Sequence, residues 1–220
     1  MKILNIFFIV LFLTCMFSSL CAQAPDTLIQ QIDEDLYKID NITIDAERRE
    51  ITFPAEFNMN KGLIETILVG PKGRLHETIL KTDAIPSYVQ IALLLLGLEC
   101  GQNMELANYE TVPEGDSVDV YVIWSDSLRE VHEERIERLV WNVPKEREMQ
   151  ETHWVFLGSK IVQGQFIADL EQNIIRTYHD PFAILHSPLP TITDDTFYEA
   201  NNNIVPEKGT QAMIKIIAID

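Results

Sequence analysis

The stretch GLIETILVGPKGRLHETIL, residues 62–80, decides how this chain is read. Two β-rich runs, GLIETILVG (62–70) and RLHETIL (74–80), flank the turn formers Gly70, Pro71, Lys72 and Gly73. Runs of this kind around a Gly/Pro turn predict an antiparallel hairpin. With Pro71 and Lys72 at its tip, Leu68 faces Leu75, Ile67 faces His76 and Thr66 faces Glu77. Glu65 then shares a sheet face with His76 and lies diagonal to it, within reach of a long side chain.

Working outward, the period of two persists. NITID (41–45) and EITFPAEFN (50–58) alternate as strands do. Pro54 has no N–H to give a ladder, so it is expected at an edge or a bulge. VDVYVIW (118–124) and TQAMIKIIAI (210–219) are further strands, and HWVFLGS (153–159), GQFIADL (164–170) and NIIRTY (173–178) read as three short ones. Just after the hairpin comes PSYVQIALLLLGLE (86–99). Pro86 suits a first helical turn and Gly97 a stop, so a helix is expected over about 86–97. Its run Ile91 to Leu96 is apolar all round, which predicts a buried helix packed on the hairpin. Residues 128–141 read as a strand start and a short helix, with Glu133, Glu134, Glu137 and Arg138 on its polar side. Asp180-Pro181 opens a helical turn, FAIL (182–185), and 191–209 reads as one long polar loop. The fold class that follows is α+β and strand-rich: a single domain of antiparallel β-strands with two or three short helices.

The start of the chain is of another kind. Lys2 is the only charge before Asp26, residues 3–17 are almost wholly apolar, and small residues surround Ala22, Gln23 and Ala24. A charged start, a short apolar run and a small-residue zone define a secretory signal over residues 1–23, cleaved near Ala22, Gln23 or Ala24. The apolar run falls short of the roughly 20 residues of a spanning helix. Leu20 before Cys21 and Thr14 before Cys15 fit a lipobox badly, so a periplasmic or secreted product is favoured over a lipid-anchored one. Residues 24–40 read as a linker or a frayed N-terminal segment, and 41–220 as the domain proper. Two of the 3 cysteines lie in the leader, leaving Cys100, so no disulfide can form within the domain.

The net charge is −17, and the leader carries one basic residue and no acid. Such a surface repels phosphate backbones and anionic lipid, which argues against nucleic-acid partners and leaves an unknown ligand or an envelope protein.

The string GLIE…GPKG…HET…P…ALLLLG, with WVFLGS, GQFIAD, DPFAIL and the Asn201-Asn202-Asn203 segment after it, resembles the YdjY-type domain, a family of exported bacterial proteins. The resemblance runs from about residue 42 to 219. It implies export and one domain, and it supplies no reaction.

Chemistry centres on Glu65, Arg74, His76 and Glu77. An acid and an imidazole on one sheet face, with a cation two residues away, suit a structural ion pair, a divalent-metal or ligand site, or a general base. Glu77, on the opposite face of the same strand, could join His76 only through a bulge. Elsewhere complete motifs are absent. His132-Glu133 starts like a zincin helix, but Ile136 stands where the second His belongs. Gly158-Ser159 is not a nucleophile elbow. No cofactor is called for. The expectation is an exported, non-catalytic binding or cell-envelope module; the alternative is a metal- or His-dependent enzyme centred on Glu65 and His76.

Overall fold

A computed structural model describes residues 28–102, 104–109, 111–190 and 194–219. The expected signal peptide, residues 1–23 with Ala22, Gln23 and Ala24, lies outside the described residues. In chain order the strands are β1 (Gln30–Asp33), β2 (Leu36–Ile39), β3 (Ile42–Asp45), β4 (Glu50–Phe57), β5 (Thr66–Val69) and β6 (Thr78–Lys81). After helix α1 (Pro86–Leu95) come β7 (Ser117–Ser125), β8 (Val131–Arg135), β9 (Val140–Asn142), β10 (Arg147–Glu148), β11 (Trp154–Phe156), β12 (Ile161–Val162) and β13 (Gln165–Phe166). Helix α2 (Ile167–Glu171) precedes β14 (Asn173–Arg176), β15 (Leu185–His186), β16 (Tyr198–Ala200) and β17 (Gln211–Ala218).

The main sheet closes on itself. Its order is β4-β17-β7-β11-β15-β14-β5-β6, and β6 pairs back to β4. Closure removes the free edges an open sheet would leave. β1, β2 and β3 extend it as a meander from β4, and β8 hangs on β7. The interior takes the inward half of each alternating strand. In β4, Ile51, Phe53, Ala55 and Phe57 are buried; in β7, Val118, Val120, Val122 and Trp124; in β17, Ile214 and Ile216. Trp154 and Phe156 of β11 complete it. These strands are where the alternation placed them.

Strand direction is where the chain departs from its local pattern. The sheet is mixed, not antiparallel throughout: β5–β6 and β14–β15 run parallel. The expected hairpin over 62–80 is therefore absent. Gly73 N–H closes a turn on the Gly70 carbonyl at 3.0 Å, and Leu75–Glu77 then forms a 3₁₀ turn. This brings the chain back to the start of β5, so Thr66 stands beside Thr78 and Leu68 beside Leu80. The register of Leu68 with Leu75 and Ile67 with His76 does not occur. The cause lies outside the stretch. Buried Asn58 donates to the carbonyls of Leu75 (2.6 Å) and Thr78 (2.8 Å), giving the 3₁₀ turn the partners a ladder would have supplied. Thr78, Ile79 and Leu80 are then buried, while Arg74 and His76 stay outside.

Other expectations need smaller changes. Within 24–40, residues 30–33 and 36–39 form β1 and β2. Pro54 sits where β4 changes neighbour, since its pairing to β3 ends at Thr52 and that to β6 starts at Glu56. α1 is buried on one face only: Val89, Ala92 and Leu93 are covered, but Leu94 and Leu95 are 45% and 49% exposed. Its main neighbours are β3 and α2. Asp169 of α2 accepts the Ser87 N–H at 2.7 Å and so caps α1 from another element. GQFIADL divides into β13 and α2, and β16 lies inside the stretch read as a polar loop. FAIL does not become a helix. Asp180 Oδ1 takes the Phe182 N–H at 2.8 Å for a single turn, and the chain enters β15 at Leu185, between β11 and β14. Glu137, expected on a solvated face, is fully buried, where it accepts the Trp154 indole N–H at 2.9 Å and pairs with Arg135 at 3.2 Å.

Candidate functional site

Glu65 ends the loop that leads into β5, and its backbone is clamped to the far half of the chain. Its carbonyl accepts the Thr177 N–H (3.0 Å), the Tyr178 N–H (3.2 Å) and the Thr177 hydroxyl (2.9 Å). β14 runs antiparallel beside β5, which sets Arg176 opposite Thr66. The Arg176 side chain, 5% exposed, donates from Nη1 to Thr66 Oγ1 and from Nη2 to Glu65 Oε2, both at 2.9 Å. Arg74, at the entry of the 3₁₀ turn, lies 3.6 Å from the same Glu65 oxygen and 3.3 Å from Glu77.

Glu65 and Arg74 lie together as the sequence suggested, and Glu77, expected on the opposite face, joins them through Arg74. His76 is not with them in the way expected. Its ring is 79% exposed and its near acid is Glu77, at 3.6 Å. In a 3₁₀ turn successive side chains fan around the axis and no longer alternate between two faces, so Glu77 and His76 need not lie on opposite sides.

Beside this pair opens a cleft of about 240 Å³. Glu65, Arg74, Glu171, Asn173, Arg176 and Asp180 line it with polar and charged groups. Tyr109, Tyr178, His179 and Phe182 provide ring surface. Its polar floor is knit together by short bonds. Asn173 Nδ2 donates to Asp180 Oδ2 at 2.7 Å and weakly to Glu171 Oε2 at 3.4 Å. His179 Nε2 donates to the Glu105 carbonyl at 2.9 Å, and its ring lies 4.6 Å from that of Tyr109. Three buried atoms here have no hydrogen-bond partner among the described residues: Asn173 Oδ1, Arg176 Nε and His179 Nδ1. Arg176 Nε stands 3.7 Å from Asp180 Oδ2, an electrostatic contact without a hydrogen bond. A buried polar atom left unpaired costs about 1–3 kcal/mol, so three in one place mark where water or a bound molecule completes the structure.

Burial and neighbouring acids also shift the titration. Burial raises the Glu65 carboxyl above its usual range; Arg176 pulls it down and Glu77 pushes it up. Burial and then Asp180 raise Glu171. Behind the cleft, His186 of β15 is completely enclosed, and burial lowers its pKa to about 4. Its ring sets Nδ1 2.9 Å from the Ser187 carbonyl and Nε2 2.9 Å from the Tyr178 carbonyl and 3.2 Å from the Asp180 N–H, so it packs directly against the Asp180 turn.

A family model now has a fold and a site to attach to. That of the YdjY domain matches residues 42–217. This chain is a member of the YdjY domain family. No curated protein and no solved structure matches it. The match takes in both segments that line the cleft, β5 with its 3₁₀ turn and β14 with the Asp180 turn.

Most of the YdjY cleft was missed from sequence. Arg176, Tyr178, His179 and Asp180 are consecutive but for Thr177, a polar run between Ile174-Ile175 and FAIL. Charged residues at that density in a strand exit are the available signal, which the helical turn expected at Asp180-Pro181 obscures. One metal-like grouping lies elsewhere. Asp126, Glu130 and His132, on the exposed connection from β7 to β8, offer ligand atoms within 4.8 Å of one another. His132 bonds Asp126 at 3.1 Å and stacks on Trp124, with ring centroids 5.1 Å apart.

Proposed function

We propose that this YdjY-domain protein is an exported, non-catalytic binding module of the cell envelope that holds a small polar ligand in the cleft at Glu65 and Arg176. The leader-like composition of residues 1–23 supports export, and among the described residues no helix is long and apolar enough to cross a membrane. The observation that carries the binding reading is the concentration of unpaired buried atoms, Asn173 Oδ1, Arg176 Nε and His179 Nδ1, around one concave, ring-walled space. Ligand sites are concavities of this kind, with ring surface and a few convergent polar groups.

The side chains present suit holding better than reacting. Glu65 is tied by Arg176 and flanked by Arg74. The imidazole in the cleft has Nε2 committed to a backbone carbonyl, and Cys100, whose thiol burial pushes up, is not among the lining residues. The test is a two-dimensional NMR titration of the purified protein against a fragment collection of small polar molecules. Shifts confined to residues around 65, 74 and 173–182 are expected. A collection that moves no resonance in that set would overturn the reading.

A second reading, acid–base catalysis at Glu65, draws on its raised pKa in a cleft with an acid from the distant half of the chain. It differs by predicting that a bound fragment is converted, which the same samples would show as new ligand signals over hours.

A further inference from the structure

The polarity of what the cleft lacks narrows the ligand. This step rests on the binding reading above. The two cations are both engaged with Glu65: Arg176 directly, and Arg74 at 3.6 Å while it also meets Glu77. The acids are not all answered. Glu171 has no ion pair among the described residues; its bond from Asn173 is long, at 3.4 Å. Asp180 receives Asn173 and the Phe182 N–H, and only a 3.7 Å approach from Arg176. Two of the three unpaired atoms point the same way; the third, the donor Arg176 Nε, faces Asp180 Oδ2 at 3.7 Å. Asn173 uses its Nδ2 on Asp180, so its open atom is the acceptor Oδ1. His179 donates from Nε2, so in the neutral ring the open Nδ1 is an acceptor too. Acceptors and carboxylates are in surplus, beside the rings of Tyr109 and Phe182.

We infer that the cleft binds an organic ammonium group, its N–H bonds going to Glu171, Asn173 Oδ1 and His179 Nδ1 and its hydrocarbon lying on Tyr109 and Phe182. Aromatic faces attract such a cation as well as shelter its carbon skeleton. A bare divalent ion fits poorly. Two guanidinium groups border the space, and among the described residues the one three-donor grouping with atoms close enough for a metal is at Asp126, not here. An anion would meet the carboxylates of Glu171 and Asp180, and among the described residues both cations at the cleft are already engaged with Glu65.

The source of the ammonium is left to the experiment. Benzylamine, benzyl alcohol and benzoate form a set matched in shape and differing in charge, and Nα-acetyl-lysine amide presents the ammonium as a protein side chain would. Each is titrated by NMR into the purified protein at pH 7, together with calcium chloride. Benzylamine, acetyl-lysine amide or both should bind at the cleft about tenfold more tightly than the alcohol or benzoate, the loss expected when a charge-assisted hydrogen bond is removed. Whichever of the two binds better tells a free amine from a polypeptide lysine. E171Q, a change at the exposed rim, should weaken the amine by a similar factor and leave the alcohol unaffected. Tighter binding of benzyl alcohol, benzoate or calcium at the same residues would overturn the ammonium inference and leave the binding site standing. No shift with any of them, nor with the fragment collection, would overturn both.

Discussion

Arg176 Nη2 and Glu65 Oε2 meet at 2.9 Å across a separation of 111 residues. The pair joins the loop before β5 to the end of β14, and both residues line the cleft. With Arg176 almost fully enclosed, its removal strands a carboxylate whose second cation is a solvent-exposed arginine 3.6 Å away. Arg176→Met is expected to cost about 3 kcal/mol, and Glu65→Gln, which keeps an acceptor for Arg176, about 1 kcal/mol. Urea midpoints at pH 7 check both; equal losses would show that charge at Glu65 matters more than the hydrogen bond.

His76 was the imidazole the sequence favoured, and its 79% exposure makes the opposite prediction. His76→Ala should change stability by no more than about 0.5 kcal/mol and leave fragment binding at the cleft unaltered. A loss of binding would restore His76 to the site.

His186 behaves differently because burial holds its pKa at about 4, below the ordinary 6.5. The unfolded chain takes up this proton first, so the contribution is complete above pH 6.5 and is lost as the pH falls toward 4. Its size is about 3 kcal/mol. The raised Glu65 and Glu171 act oppositely, since a carboxyl protonated more readily in the folded state gains stability on acidification. An NMR titration of the His186 ring isolates the first effect; a midpoint above 6 would contradict it.

Gly158, just beyond β11, has φ +69°, and a Cβ placed there would strike Cys100 Sγ. Left-handed backbone and collision act together, so Gly158→Ala should destabilise by about 1–3 kcal/mol. Truncating the thiol in the double variant with Cys100→Ala should recover the steric part and leave the backbone part, which thermal melts of the three proteins would separate.

Local chemistry in the sequence was enough for the elements themselves. Alternation at 42–45, 50–57, 118–124 and 211–218 can be satisfied only by a strand with one face buried, because period two is a property of the extended backbone and needs no partner to be seen. The Pro86 start and Gly97 stop of α1 are likewise local, and the strings around residues 62–99 were specific enough to suggest the YdjY family. Direction and proximity were not local. Whether the chain after Gly73 returns as a hairpin or loops round to run parallel depends on Asn58 reaching two carbonyls, and on β6 being needed to close the sheet onto β4. The cleft depends on β14 lying beside β5, so that Arg176 answers Glu65 while His76 faces solvent. A residue's type and its neighbours in sequence fix what it can bond. Only the tertiary structure decides which partner, a hundred residues away, is within 3 Å to bond it.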